Sequence, residues 1–261
     1  MGRIKGTKTD LLSFTNLICI PGELYPGETK SRFLEDFCIE LDDGVATVRG
    51  VSENIAYEEV EFDIDIEKEG EIVVQNAEEF EKVLGRFKAD EEINVEDTGR
   101  HLEIKSDRKE FKIKSSESGS IRSMDGIDNI PDINYNEERD RFEISHKDDE
   151  IYLDVKAVVN AADLQEIVDD GSVIDTSNFP LSIEEDSLVV NLGNDQNGSF
   201  KTEIDTVNSR GKAKTKIMYG LGGVAANLEG NIEIYTKEDS PLVFRQKKNG
   251  HNVYYFVANT E

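Results

Sequence analysis

The chain is 261 residues long, enough to bury one large core or two medium ones. Its 56 acidic and 30 basic residues leave a net charge of −26, which suits a solvated surface in a salt-rich interior and argues against coating DNA with positive charge. An apolar fraction of 37%, rich in Ile, Val, Leu and Phe, excludes a disordered chain, and no apolar run reaches the length of a membrane span.

In chain order, Met1-Gly2-Arg3-Ile4-Lys5-Gly6 has no secretory apolar stretch, and Gly6 spoils a myristoylation pattern, so a soluble intracellular protein is expected. A first helix is predicted over residues 9–20. Cys19 and Cys38 sit among apolar neighbours and read as buried thiols, with no disulfide framework. Alternation predicts half-buried antiparallel strands over 46–51, 60–66, 102–105, 110–114, 188–190 and 231–235. Asp42-Asp43-Gly44, Asp97-Thr98-Gly99, Asn194 to Gly198 and Asn249-Gly250 mark turns between strands. Further helices are predicted over 77–88, 158–169 and 219–227. The last is weak, because Gly220, Gly222 and Gly223 each cost about 1 kcal/mol relative to Ala.

Residues 115–138 open with Ser115-Ser116-Glu117-Ser118-Gly119-Ser120 and lack clear periodicity, which reads as a linker between two halves. Its apolar residues Ile121, Met124, Ile127 and Ile130 either fill the edge of a domain core or line a docking groove for a partner peptide.

A repeat spans that linker. Asn76-Ala77-Glu78-Glu79-Phe80-Glu81-Lys82-Val83-Leu84 returns 84 positions later as Asn160-Ala161-Ala162-Asp163-Leu164-Gln165-Glu166-Ile167-Val168. The unit is too long for a solenoid and implies duplication of a helix-plus-strands module.

Catalytic and metal-binding signatures are missing from the sequence. His101, His146 and His251 are scattered without ligand spacing, so no metal site and no cofactor are expected. Gly220-Leu221-Gly222-Gly223 matches neither a phosphate loop nor a dinucleotide fingerprint, and there is no Gly-x-Ser-x-Gly elbow. The expectation is a protein that is not an enzyme.

The C-terminal stretch carries a resemblance. Asp239-Ser240-Pro241-Leu242-Val243-Phe244, followed by Gly250-His251-Asn252-Val253-Tyr254-Tyr255-Phe256-Val257-Ala258-Asn259, resembles the end of the DNA sliding clamps of archaea and eukaryotes, the proliferating cell nuclear antigen family. Residues 37–61 resemble the family's opening hairpin, 80–88 its second helix, 115–138 its interdomain connector, and 211–216 the strand before its last helix. Asn259 stands where the family usually has Pro, and Phe256 where Tyr is common.

The resemblance implies an α+β, two-domain DNA-clamp fold, each domain made of two β-α-β-β-β units, with antiparallel sheets outside and four helices inside. The implied boundaries are an N-terminal domain 1–116, a connector 117–138 and a C-terminal domain 139–261. It implies a homotrimeric ring in the cytoplasm of an archaeal cell or of an infected archaeal host, or in a eukaryotic nucleus. The ring would encircle double-stranded DNA without reading its sequence and tether DNA polymerase, clamp loader, ligase and nuclease through their tail peptides. Phosphate contacts would come from Lys82, Arg86 and Lys88, with Lys5, Lys8, Lys212, Lys214 and Lys216. Basic residues late in a helix also complement its dipole. The peptide groove would be lined by Met124, Ile127, Ile130, Pro241, Phe256, Val257 and Ala258. Subunits would join through Arg108, Glu110, Phe111, Lys112, Ile113 and Lys114 of one protomer and Ser199, Phe200, Lys201, Thr202, Glu203 and Ile204 of the next. One feature departs from the family: the third helix offers Asp163, Glu166, Asp169 and Asp170 where Lys or Arg is normal. The alternatives are a clamp-fold paralogue, such as a checkpoint-type subunit or a partner-binding decoy with weak DNA encirclement, and an acidic all-β structural protein.

Overall fold

The computed structural model describes residues 1–18, 21–22, 31–32, 37–51, 56–62, 64–115, 132–146, 149–173, 178–194, 198–218, 221–225, 227–248 and 251–257. The first half runs β1 (Arg3–Thr7), α1 (Lys8–Ile18), β2 (Pro21–Gly22), β3 (Ser31–Arg32), β4 (Phe37–Asp42), β5 (Val45–Val51), β6 (Ala56–Phe62), β7 (Asp65–Lys68) and β8 (Gly70–Val74). It continues with α2 (Ala77–Leu84), β9 (Glu92–Asp97), β10 (His101–Lys105) and β11 (Glu110–Lys114). The second half opens with β12 (Asp132–Asn136), β13 (Arg141–His146), β14 (Asp149–Leu153), β15 (Val155–Asn160) and α3 (Ala161–Val173). It then runs β16 (Asn178–Ile183), β17 (Ser187–Asn194), β18 (Gly198–Asp205), β19 (Asn208–Arg210), β20 (Ala213–Met218), α4 (Leu221–Ala225), β21 (Asn231–Thr236), β22 (Leu242–Lys248) and β23 (His251–Val257).

A nine-stranded antiparallel sheet in the order β19-β15-β21-β22-β23-β6-β5-β4-β8 joins the halves. Its central strand, β23, pairs with β6 in the register Val253↔Val60 to Val257↔Ala56, so the last described strand closes onto the first half. A five-stranded sheet, β11-β10-β9-β1-β7, belongs to the first half and a four-stranded sheet, β18-β17-β16-β20, to the second. Among the described helices, α2 leads from the nine-stranded sheet to the five-stranded one, α3 and α4 connect it with the four-stranded one, and α1 leads from β1 of the five-stranded sheet to the small β2-β3 pair.

The helices form where apolar residues recur at helical spacing and a cap is available. Thr7 and Asp10 cap α1 reciprocally: the Thr7 amide donates to Asp10 Oδ2 at 2.9 Å and the Asp10 amide to Thr7 Oγ1 at 3.3 Å. Asn76 Oδ1 accepts from the Glu79 amide at 2.9 Å, and Asn160 Oδ1 accepts from the Ala162 amide, also at 2.9 Å. The repeat is therefore two capped helix starts. Ala77, Phe80 and Leu84 are buried in one copy and Ala161, Leu164 and Ile167 in the other. The four described helices bury side chains in one continuous core with the inward residues of the sheets, among them Leu11, Phe80, Leu164, Val224, Ile39, Phe244 and Tyr255. Side chains of that size are each worth about 1.5–3 kcal/mol of burial.

Predicted helix bounds shift: the helix expected over 77–88 ends at Leu84, where the cap residue Gly85 donates its amide to the Glu81 carbonyl at 2.7 Å. Residues 158–160 belong to β15, where they pair with Asn231, Ile232 and Glu233, so α3 starts only at Ala161. The last helix is described over Leu221–Ala225 and has ended by Asn227, with Tyr219, Gly220 and Ala226 outside the described residues.

The linker reading covered residues that form structure. Residues 132–136 are β12, the first strand of a separate three-stranded sheet, β12-β13-β14. This sheet packs on the face of the nine-stranded sheet that points away from the main core, through Phe142, Ile144 and Leu153 against Tyr235 and Val243. Strand alternation explains the division: Ile234, Phe244 and Tyr255 face the main core, and Tyr235, Val243 and Tyr254 face the smaller sheet. Among the described residues, no helix is long and apolar enough to cross a membrane, and no group of three or more His, Cys, Asp or Glu side chains is placed to hold a metal ion. Cys38 is a free buried thiol whose pKa burial pushes up to about 12. Cys19 lies outside the described residues.

Candidate DNA-facing helices, peptide groove and ring edges

The C-terminal end of α2 is the main gathering of cations among the predicted DNA-contact residues. Lys8, at the start of α1, reaches across to it and donates from Nζ to the Phe87 carbonyl at 3.1 Å and the Gly85 carbonyl at 3.5 Å. Those carbonyls lie at the negative end of the helix dipole, so the ammonium stabilises the helix as well as adding charge there. Lys82 pairs with Glu78 one turn earlier, while Arg86 and Lys88 make no side-chain hydrogen bond or ion pair among the described residues. The sequence reading missed Lys109, which donates to the Arg86 carbonyl and lies 5.4 Å from the Phe87 ring centroid. Its contact is long-range and left no local pattern to find.

The other predicted cations are dispersed. Lys5, on β1, is tied to Glu92 at 2.8 Å, which raises its pKa through that hydrogen bond. Lys212 pairs with Glu185 at 3.1 Å. Lys214 and Lys216 are exposed on β20, alternating with buried Ala213, Thr215 and Ile217. On α3, Glu166 and Asp169 are exposed and Asp163 and Asp170 half-buried, and neither α3 nor α4 carries a Lys or Arg. The copies differ at two equivalent positions: Lys82 and Arg86 of the first correspond to Glu166 and Asp170 in the second.

The predicted groove residues divide between two faces of β23. Phe256 packs against the smaller core beneath the three-stranded sheet, whereas Val257 is fully buried in the main core and does not face the same side. Pro241 is half-buried, its carbonyl accepting from Thr236 Oγ1 at 2.9 Å. Met124, Ile127, Ile130 and Ala258 lie outside the described residues.

The two predicted seam strands are both terminal strands of their sheets: β11 ends the five-stranded sheet and β18 the four-stranded sheet. Each has one backbone edge that no strand of this chain pairs among the described residues. On β11, Ile113 faces the core and Phe111 stacks edge-on against Phe87 at 5.5 Å, while Glu110, Lys112 and Lys114 are exposed. Lys112 and Lys105 converge on Glu103, whose carboxyl is held down to about 2 by the hydrogen bonds they donate. Arg108 lies in the exposed turn before β11. On β18, Ile204 is buried and Thr202 half-buried, but Phe200 on the same side is 37% exposed; Ser199, Lys201 and Glu203 are exposed.

No protein-family model and no curated protein matches the chain in sequence. Solved structures match it in shape over nearly its whole length. It is similar to the PCNA of A. fulgidus solved with the C-terminal region of FEN-1 (TM-score 0.65, 12% identity, 100% of this chain and 99% of that one). It is also similar to a chain of the PCNA2–PCNA3 complex from Sulfolobus tokodaii (TM-score 0.61, 18% identity, 98% of each chain). The PCNA of Entamoeba histolytica matches with a TM-score of 0.62 at 10% identity over 100% of this chain and 99% of that one. The chain has the fold of the PCNA sliding clamps.

Proposed function

We propose that this chain is a subunit of a ring that encircles duplex DNA and tethers DNA polymerase and other replication and repair proteins. The observation that carries this reading is that β11 and β18, terminal strands of the five- and four-stranded sheets, each leave an edge open in a chain with the clamp fold. Open edges are avoided unless something pairs them, and a head-to-tail pairing of two different edges closes into a ring when the rotation allows. The Sulfolobus tokodaii complex, in which two clamp chains associate, supports such assembly. A homotrimer is the simplest closed form. DNA contact is assigned to the basic end of α2, through Lys82, Arg86, Lys88 and Lys8. Partner tails are assigned to the face around Pro241 and Phe256 with the connector, in line with the FEN-1 segment bound to the A. fulgidus protein.

The acidic α3 favours a second reading, a clamp-fold ring that binds partners but holds DNA weakly. Light scattering and loading onto nicked circular DNA test both. A trimer that stays on the circle until it is linearised supports the first; a trimer that fails to load supports the second. A monomer at micromolar concentration overturns both.

A further inference from the structure

A second group of cations lies away from the helices, where the three-stranded sheet meets the end of β19. An open cleft of about 630 Å³ is lined there by Arg139, Arg141, Arg210 and Lys212, with Asp154, Val155 and Gly211. Four cations and one carboxylate line the cleft, while Asp140, Glu143 and Glu185 pair with three of those cations from its margin.

Two of the cations are held in place. Arg141 bonds Glu143 through Nη2 at 2.7 Å and Nε at 3.0 Å, and its guanidinium lies 4.0 Å from the Tyr152 ring centroid. Arg210 donates from Nε to the Asp154 carbonyl at 3.0 Å and from Nη1 to Asp140 at 3.2 Å. The other two are loosely held. The Arg139 guanidinium has no hydrogen bond or ion pair among the described residues, and Lys212 is tied only to Glu185, with both side chains more than half exposed. An exposed pair of that kind is worth about 0–1 kcal/mol, so a better anion displaces it at little cost. Gly211 lets the chain turn into the cleft: it sits at φ +79°, and a Cβ there would lie 3.1 Å from Val155 Cγ2.

We propose that this cleft binds a compact oligophosphate, either free or as the polyphosphate of a nucleotide. Guanidinium groups present paired donors that match phosphate oxygens, and three of the four cations are arginines. The volume lies within the usual range of about 300–1,000 Å³ for small-molecule sites. A longer polyanion is disfavoured, because Asp140, Glu143 and Glu185 pair with these cations at the margins and the rest of the molecule is strongly acidic.

Calorimetry on the full chain at low salt, with inorganic tripolyphosphate as the probe, tests the site. Saturable binding is expected, about tenfold weaker in Arg139→Glu/Lys212→Glu and unchanged in Lys82→Glu/Arg86→Glu. Both cleft substitutions are at exposed positions, and an unchanged thermal midpoint will verify the fold. A nucleoside triphosphate binding more tightly than tripolyphosphate identifies the nucleotide as the source; equal affinity identifies the free oligophosphate. No saturable binding of tripolyphosphate, or equal binding by the cleft variant, overturns the proposal. So does cleft-dependent binding of a single-stranded oligonucleotide alone.

Discussion

The hydroxyl of Tyr235 donates a 2.7 Å hydrogen bond to the carboxylate of Asp140, tying the nine-stranded sheet to the turn that joins β12 and β13. The same carboxylate accepts from Tyr135 at 2.8 Å and from Lys156 at 3.1 Å, and it pairs with Arg210. Asp140 has φ +48°, a left-handed conformation that Asp and Asn tolerate better than most residues. Burial alone would raise its pKa, but the bonds from Tyr235, Tyr135 and Lys156 outweigh that and bring it down to about 2.

Asp140→Asn keeps the turn geometry and removes the charge. It is expected to cost about 1–2 kcal/mol at neutral pH, read as a lower urea midpoint. Because the folded pKa lies below the unfolded one, the ionised contribution is complete above about 4 and disappears as pH falls through about 2. The gap between wild type and variant should therefore close across that window. A gap that does not change with pH would show that the charge is not what matters.

Phe142 is 1% exposed and touches Tyr135, Tyr235 and Tyr254 at ring-centroid distances of 5.1, 5.0 and 5.5 Å. Phe142→Ala should cost about 3–5 kcal/mol of local stability. The expected readout is faster hydrogen exchange over 132–153, with the amides of β9 and β10 unaffected. Equal loss of protection in both sheets would mean that the two cores unfold as one unit.

The capping pair permits an internal comparison. Asn76→Ala and Asn160→Ala should each lower stability by about 1 kcal/mol, since each leaves a first-turn amide without its side-chain acceptor. A null effect at Asn160 alone would indicate that the contact from the Ala161 amide to the Gly230 carbonyl, at 2.8 Å, already holds the start of α3.

For the ring, Phe200→Glu places a charge on the exposed apolar position of the open edge of β18. The expected outcome in light scattering is a shift from trimer to monomer at micromolar concentration with the thermal midpoint retained. An intact trimer would remove β18 from the seam.

For DNA, Lys82→Glu/Arg86→Glu should reduce retention on nicked circular DNA by about tenfold or more and make what remains less sensitive to salt, because fewer counterions are released. Unchanged retention and unchanged polymerase stimulation would remove α2 from the DNA-facing surface.

Much of this protein was legible locally. The Asn-Ala starts, the helical spacing of Phe80 with Leu84 and of Leu164 with Ile167, and the alternation in β5, β10, β11 and β21 follow from periods of 3.6 and 2 that short windows reveal. The resemblance at 239–259 then connected those elements to a clamp. The three-stranded sheet was missed although Tyr135, Phe142, Ile144, Ile151 and Leu153 alternate, because the preceding Ser-rich run drew its first strand into the linker. The side on which Val257 and Phe256 fall, the reach of Lys109 and Lys8 to the end of α2, and the convergence of Arg139 and Arg141 with Arg210 and Lys212 were set only by tertiary structure. A sequence specifies which face of an element is apolar, but which distant charges meet depends on how sheets pack, and no local period encodes that.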